Sequence, residues 1–245
     1  MEFVKLSDRP DLLPQMWKLT DEWPEFMLHD LVADFYFSRI LETWGDWTLL
    51  ALDGDTVAAR SHCAPFAFGE EVGRPDLPPN GWDAIIYWSF IDESNGRIPT
   101  TVGGLEVTIA SDYQGRGLAA EMLTAMTDMA SSRGFSDLYI PVRPSQKHHE
   151  PGTPMEVYAS SVRDDDLPED PWLRVHARLG AQYMGVCQTA MTIAGTLAEW
   201  REWTGLPFDA SGPVVVPGAL SKVHVDVEQD HAVYIEPNVW MRHHW

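Results

Sequence analysis

The chain has 245 residues, 44% of them hydrophobic, and a formal net charge of −20. The length fits one large domain or one domain with additions, and the apolar share is that of a globular protein with a buried core. The charge disfavours contact with a polyanion and so argues against nucleic acid as a partner, and no apolar run reaches the roughly eighteen residues of a membrane span.

The opening Met1-Glu2-Phe3-Val4-Lys5 lacks the basic and apolar regions of a secretory signal. Cys63 and Cys187 are therefore expected as reduced, buried thiols in the cytoplasm. Residues 2–6 read as a first strand, and 10–20 and 29–44 as helices, the second with Leu31, Phe35, Ile40, Leu41 and Trp44 on one face. Residues 47–52 and 56–63 read as strands joined through the hairpin signal Asp53-Gly54-Asp55. Seven prolines and glycines break the pattern over 65–83, a long loop of the kind that forms a lid or stays disordered. Residues 82–93 fit a helix or a strand. Gly103-Gly104 places a bulge ahead of an apolar strand at 105–110.

An amphipathic helix follows at 118–133, with Leu118, Met122, Met126 and Met129 at helical spacing, Arg133 in its last turn and Gly134 as the cap. Leu138, Ile140 and Val142 alternate as the next strand, which completes a βαβ unit with a parallel pair. Residues 144–169 are loop-like and carry the acidic run Asp164-Asp165-Asp166. A short helix at 172–179 stops at Gly180. Residues 181–193 form a strand or hairpin arm, 197–204 a helix, and 214–240 two or three further strands.

Between the 105–110 strand and the 118–133 helix stands Gln114-Gly115-Arg116-Gly117-Leu118-Ala119. A glycine-rich turn that opens a helix after a strand is a phosphate cradle, because its N–H groups point outward and the helix dipole adds partial positive charge. The hexapeptide, with Val107-Thr108-Ile109 and Asp112-Tyr113 before it, resembles motif A of the GNAT superfamily of acyl-CoA-dependent acyltransferases. The resemblance implies a mixed α/β fold with a largely antiparallel sheet around a central parallel pair. It also implies acetyl-CoA or another acyl-CoA as cosubstrate. The backbone of Val107, Thr108 and Ile109 would pair with the pantetheine arm, and the N–H groups from Gly115 to Ala120, through Arg116, Gly117, Leu118 and Ala119, would hold the pyrophosphate. Arg116 would add a charge-assisted contact, and Gln114 opens the motif. The resemblance implies a GNAT domain over 1–205 with inserted loops at 65–100 and 144–169, and a C-terminal β extension over 206–245 packed on it.

The implied reaction is N-acyl transfer to a small-molecule amine, and an acidic surface suits a cationic acceptor. An alkyl ammonium with a pKa of about 10.4 must lose a proton before it attacks. Glu106, on the cofactor strand, is the candidate base. A strand N–H near Val107 to Ile109 would stabilise the oxyanion. The family's usual helix tyrosine falls at His176, the candidate acid, and its usual asparagine falls at Glu169. Neither cysteine lies in the motif, so direct attack is expected rather than a covalent enzyme intermediate. His148-His149 and His243-His244 lack zinc spacing, so no metal is expected. Arg143, Lys147 and Arg174 are equal candidates for the cofactor's 3′-phosphate. Trp82, Tyr87, Trp88 and Phe90 are candidate pocket walls in the first insertion, and the insertions either shape a specialised pocket, thicken the core or form a homodimer contact. Three rival readings stand beside amine transfer: decarboxylation of a malonyl thioester, an acyl donor carried on a protein or tRNA, and a CoA-binding sensor without turnover.

Overall fold

In the computed structural model, which describes residues 1–19 and 23–245, β1 (Glu2–Lys5) pairs antiparallel with β2 (Thr48–Asp53), and β2 with β3 (Thr56–Phe66). β3 pairs antiparallel with β4 (Thr101–Ile109), and β4 runs parallel to β5 (Asp137–Val142). The helix between β4 and β5 is α4 in chain order (Leu118–Ser131). It follows α1 (Leu13–Trp17), α2 (Leu31–Phe37) and α3 (Gly81–Ser94) and precedes α5 (Met155–Ala159), α6 (Pro171–Arg178) and α7 (Leu197–Thr204).

The chain's end completes the sheet. β9 (His231–His244) lies against β5 on one edge and β6 (Gln182–Gly195) on the other. β8 (Val223–Asp226) continues the β5 edge and carries β7 (Gly212–Val214). Residues 231–244, within the expected C-terminal β extension over 206–245, are thus an interior strand of the same sheet. Pairing between segments about 100 residues apart leaves no local signature.

Helices cover both sheet faces, which is why β2 is buried along Thr48–Leu52 rather than alternating. α4 packs Leu118, Met122, Met126 and Met129 with Leu138, Ile140 and Val142 on one face. α3 packs Trp82, Ile85 and Ile86 with Phe66, Leu105 and Tyr139 on the other. The approach is tight at β4: a Cβ on Gly103 would come within 2.5 Å of Ile85, and one on Gly104 within 2.8 Å of Ile140. Among the described residues no helix is long and apolar enough to cross a membrane.

Two elements differ from expectation, and a third that was open between helix and strand is decided. The first helix is a 3₁₀ turn at Pro10–Leu12 and then α1, because Pro14 is tolerated only in a first turn; Thr20, the expected end, lies outside the described residues. In the second, Val32, Tyr36, Ile40 and Trp44 are buried, while Leu31 and Phe35 are 76% and 50% exposed. Asp30 sets this phase by accepting from the Val32 N–H, and Tyr36 anchors it by donating to the Cys63 carbonyl. Residues 82–93 are helical in α3: Trp82, Ile85, Ile86, Ser89 and Asp92 form its buried stripe, and the apolar Tyr87 and Ile91 outside that stripe blur the period.

Candidate active site

The site arises where β4 and β5 stop pairing. Their register runs through Val102↔Leu138 and Gly103↔Tyr139 and goes no further. Beyond it, Leu105 to Ile109 and Ile140 to Arg143 diverge and line opposite walls of a cleft of about 940 Å³. A bulge marks the divergence: Cys63 faces Gly104 and His62 faces Glu106, so Leu105 is the extra residue. The Trp82 indole donates to its carbonyl at 2.7 Å. At the far end of the strand, the Ala110 N–H bonds the Ala58 carbonyl. Antiparallel alternation then turns the N–H and C=O groups of Val107 and Ile109 away from β3, into the split. Val107 and Ile109 therefore turn a strand edge into the split, where the Ile109 carbonyl accepts from Gln114. The Thr108 backbone faces β3, and its side chain joins Glu106 on the opposite face.

On the α4 face the cleft is lined by Tyr113, Gln114, Gly115 and Gly117 through Ala120. Gly115 and Gly117 have φ of 73° and 85°, and a Cβ at either would point into open space. The first helical bonds run from the Ala120 and Glu121 N–H groups to the Gly117 carbonyl, so the Leu118 and Ala119 N–H groups precede them. Gln114 Nε2 donates to the Ile109 carbonyl at 3.1 Å and ties the turn to the strand. Arg116 does not line the cleft; its guanidinium lies over the Tyr113 ring at 5.4 Å. Open N–H groups with no Cβ in front of them fit a pyrophosphate, and the edge that β4 turns into the split fits an amide-bearing arm.

α6 forms the other wall of this half through Pro171, Trp172 and Val175. His176 is turned away. It is fully buried, its Nδ1 lies 2.9 Å from His243 Nε2, and burial drives it well below the ordinary imidazole range. It is not placed to protonate a group in the cleft, so the expected acid does not fit. The helix phase is the reason. Asp170 accepts from the Trp172 and Leu173 N–H groups and fixes the start, which sends Trp172 and Val175 to the cleft and Leu173 and His176 inward. Glu169, at the expected asparagine position, is exposed in the preceding loop.

The other half opens between α1, α2, α3 and β9. Trp17, Trp23, Phe37 and Trp82 give it aromatic walls, and Asp34 stands exposed on it. Tyr87, Trp88 and Phe90, the other expected walls, do not line it. Glu106 is the centre, its side chain only 6% exposed. Its Oε1 accepts from Arg60 Nη2 at 2.8 Å and Nε at 3.2 Å, from Trp23 Nε1 at 2.9 Å, and from the Thr108 hydroxyl. Its Oε2 lies 3.3 Å from His62 Nε2. Burial opposes ionisation, yet Arg60, His62 and the hydrogen bonds outweigh it and hold the carboxyl at about 2. Burial likewise pushes His62 down to about 3, against the pull of Glu106. A carboxylate so held is a poor proton acceptor near neutrality, so the expected base role does not match its surroundings.

A second ion pair lies beside the first. Arg143 Nε donates to Glu236 Oε2 at 2.9 Å, and the Arg143 guanidinium sits 5.7 Å from the Trp23 ring centroid. Of the three phosphate candidates, Arg143 is thus committed to this second half of the cleft, paired with Glu236. Lys147 is buried and donates to the Glu150 and Leu220 carbonyls, and Arg174 donates to the carbonyls of Pro168 and Glu169. Cys63 and Cys187 are free and buried, and burial pushes both thiols up to about 12, which leaves them inert. His243 is taken by His176 and His244 by Asp137. Sequence reasoning missed Trp23, Arg60 and the β9 neighbours Glu236 and Asn238, which come from three separate segments with no spacing to link those segments.

No protein-family model matches the chain. It is 29% identical to an arginine N-acetyltransferase, avaD, of Aspergillus versicolor, over 96% of this chain and 91% of that one. Its fold is similar to the loading GNATL domain of CurA from Lyngbya majuscula, with a TM-score of 0.60 at 15% identity over 99% of this chain and 96% of that one. It is also similar to the GNAT-like decarboxylase GphF in complex with isobutyryl-CoA, with a TM-score of 0.54 at 13% identity over 100% and 99% of the two chains. With the splayed parallel pair, the bulge and the glycine turn in place, the chain has the fold of the GNAT superfamily of acyltransferases.

Proposed function

We propose that this chain moves an acyl group, acetyl in the first instance, from acyl-CoA to the amino nitrogen of a small cationic acceptor, arginine or a close analogue. The observation that carries the reading is a single cleft through the split in the sheet. An open N–H cradle lies on its α4 face, and a charge-paired carboxylate with aromatic walls lies on the other. Gly115, Gly117, Leu118 and Ala119 would hold the pyrophosphate, and the backbone of Val107 and Ile109 the pantetheine arm. That leaves the thioester carbonyl near the β4 bulge, where an N–H of Val107 stabilises developing negative charge.

Glu106 acts in this scheme as a fixed acceptor. Arg60 keeps it ionised at every working pH, and its Oε2 orients the amine toward the thioester. The amine gives its proton to water, because Glu106, held at about 2, and His62, at about 3, are too weakly basic to take it near neutral pH. The thiol, with a pKa near 8.5 by analogy with cysteine, leaves without an acid, in keeping with the absence of His176 from the cleft. Asp34 and the Trp17 and Phe37 rings suit the acceptor's flat cation. The arginine N-acetyltransferase relative supports an acceptor of this kind.

The deciding assay follows thiol and carbon dioxide release with acetyl-, malonyl- and longer acyl-CoA, with and without an amine panel. Amine-dependent thiol release with a matching mass gain on the amine supports transfer. Carbon dioxide without an amine would replace this reading with decarboxylation. Tight CoA binding with neither product would replace it with a sensor.

A further inference from the structure

We propose that Arg143, braced by Glu236, binds the carboxylate of the acceptor, so that the site selects an α-amino acid over the bare amine with the same side chain. This rests on amine acylation as the reaction. Arg143 follows Tyr139 and Pro141 on the acceptor side of β5, where strand alternation directs every second residue. Its guanidinium is held from behind: Nε donates to Glu236 at 2.9 Å and Nη2 to the Gly218 carbonyl at 2.6 Å. Two of the five guanidinium N–H bonds are thereby used.

Glu236 is a closed counter-ion. It is fully buried, and its oxygens also accept from the Tyr234 hydroxyl at 2.9 Å and Asn238 Nδ2 at 3.0 Å. Arg143 is the open member of the pair, its side chain 20% exposed and lining the cleft. The other arginine of the cleft differs. Arg60 is 3% exposed, gives Nε and Nη2 to Glu106, and gives Nη1 to the Met16 carbonyl. Of the two arginines among the described lining residues, Arg143 is the one with guanidinium N–H groups left to meet a carboxylate, and its two anchors pre-order it for binding.

Trp23 relates the two charged groups. Its indole N–H donates to Glu106 at 2.9 Å, and its ring lies 5.7 Å from the Arg143 guanidinium. An anion-accepting fork and an amine-accepting carboxylate thus flank one side chain. An α-amino acid carries the complementary ammonium and carboxylate on a single carbon.

The test compares kcat/KM for L-arginine with agmatine and arginine methyl ester, and for L-lysine with cadaverine, using acetyl-CoA. The wild type should favour the free amino acids by roughly 10- to 100-fold, the span of one hydrogen bond to a charged group. Arg143→Gln alone strands a buried Glu236 charge. The double variant Arg143→Gln/Glu236→Gln removes both charges together and should bring the ratio within about threefold, with KM for acetyl-CoA unchanged; Arg143→Lys should fall between. Equal wild-type rates on arginine and agmatine would overturn the proposal and leave amine acylation standing. So would a folded double variant that keeps its full preference. Amine-independent carbon dioxide release from malonyl-CoA that the double variant loses would assign Arg143 to the acyl donor and overturn it too. If no amine is acylated, both readings fall.

Discussion

Glu106→Gln separates an anchoring carboxylate from a catalytic base. Carried from its ordinary 4.5 to about 2, the carboxyl represents about 3 kcal/mol in favour of its charged form, at about 1.4 kcal/mol per pH unit. Glutamine forfeits that and leaves the Arg60 guanidinium, 3% exposed, without its counter-ion. The melting temperature should fall by roughly 6–12 °C for a chain of this size. Because the folded-state pKa is depressed, this stabilisation is complete above about 4.5 and is lost as pH falls through about 2. Glu106 is then ionised across any assay from pH 6 to 9, and kcat/KM should climb with the acceptor's own deprotonation, up to tenfold per unit below the amine pKa. In Glu106→Gln, assayed below its melting point, the slope should persist while KM for the acceptor rises and kcat/KM drops roughly 10- to 100-fold. A kcat loss of about a thousandfold at unchanged KM, with the pH slope gone, would make Glu106 the base and refute the anchoring argument.

Other outcomes follow from named contacts. Gly117→Val, at φ 85° with open space before its Cβ, should abolish CoA binding in calorimetry while circular dichroism stays native; retained affinity would remove the cradle assignment. His176→Phe should leave the pH profile of kcat unaltered, since the imidazole is paired with His243 away from the cleft; a lost limb in that profile would restore it as an acid. Asp83→Asn concerns a buried carboxyl of α3 that lies near Asp30, the cap of α2. Burial and the neighbouring Asp30 raise Asp83 to about 9, so the wild type loses stability as pH rises from about 4 toward 9. The variant should gain on the wild type over that window in urea melts, and a constant difference would show that Asp83 does not titrate there.

Contiguity decided what could be read from the sequence. The cradle is six consecutive residues with glycines at the two positive-φ positions, and its helix announces itself through Leu118, Met122, Met126 and Met129, all buried. The hairpin at Asp53-Gly54-Asp55 and the helix at 197–204 are likewise local. The acceptor half is assembled by topology: Trp23 from before α2, Arg60 from β3, Arg143 from the end of β5, Glu236 from β9. Each looks like an ordinary surface or strand residue until β9 inserts beside β5. His176 failed for a subtler reason. Matching it to a family position gives its place in α6 but not its phase, which the Asp170 cap and the Leu173 packing decide. Glu106 was legible as a residue of the site, while its role depended on Arg60, 46 positions away and with no pattern pointing to it.

The distribution of charge in the cleft makes a last prediction about salt. Among the described lining residues the only Lys or Arg side chains are Arg60 and Arg143, both on the acceptor half and each paired with a glutamate. On the proposed reading the cradle half would meet an anionic cofactor with oriented N–H groups and an adjacent Arg116, inside a chain of net charge −20. Backbone dipoles act at contact distance and are little screened, whereas the repulsion from the whole chain is long-ranged and shrinks as the Debye length falls from about 10 Å at 0.1 M salt to about 3 Å at 1 M. Raising ionic strength should therefore lower KM for acyl-CoA modestly. The same field draws a cationic acceptor in, so KM for arginine should rise over the same range. Opposite signs for the two substrates of one enzyme distinguish a dipole cradle from a basic one. A KM for acyl-CoA that rises steeply with salt would place lysine or arginine on its phosphates and refute the assignment of that contact to the backbone of Gly115 through Ala119.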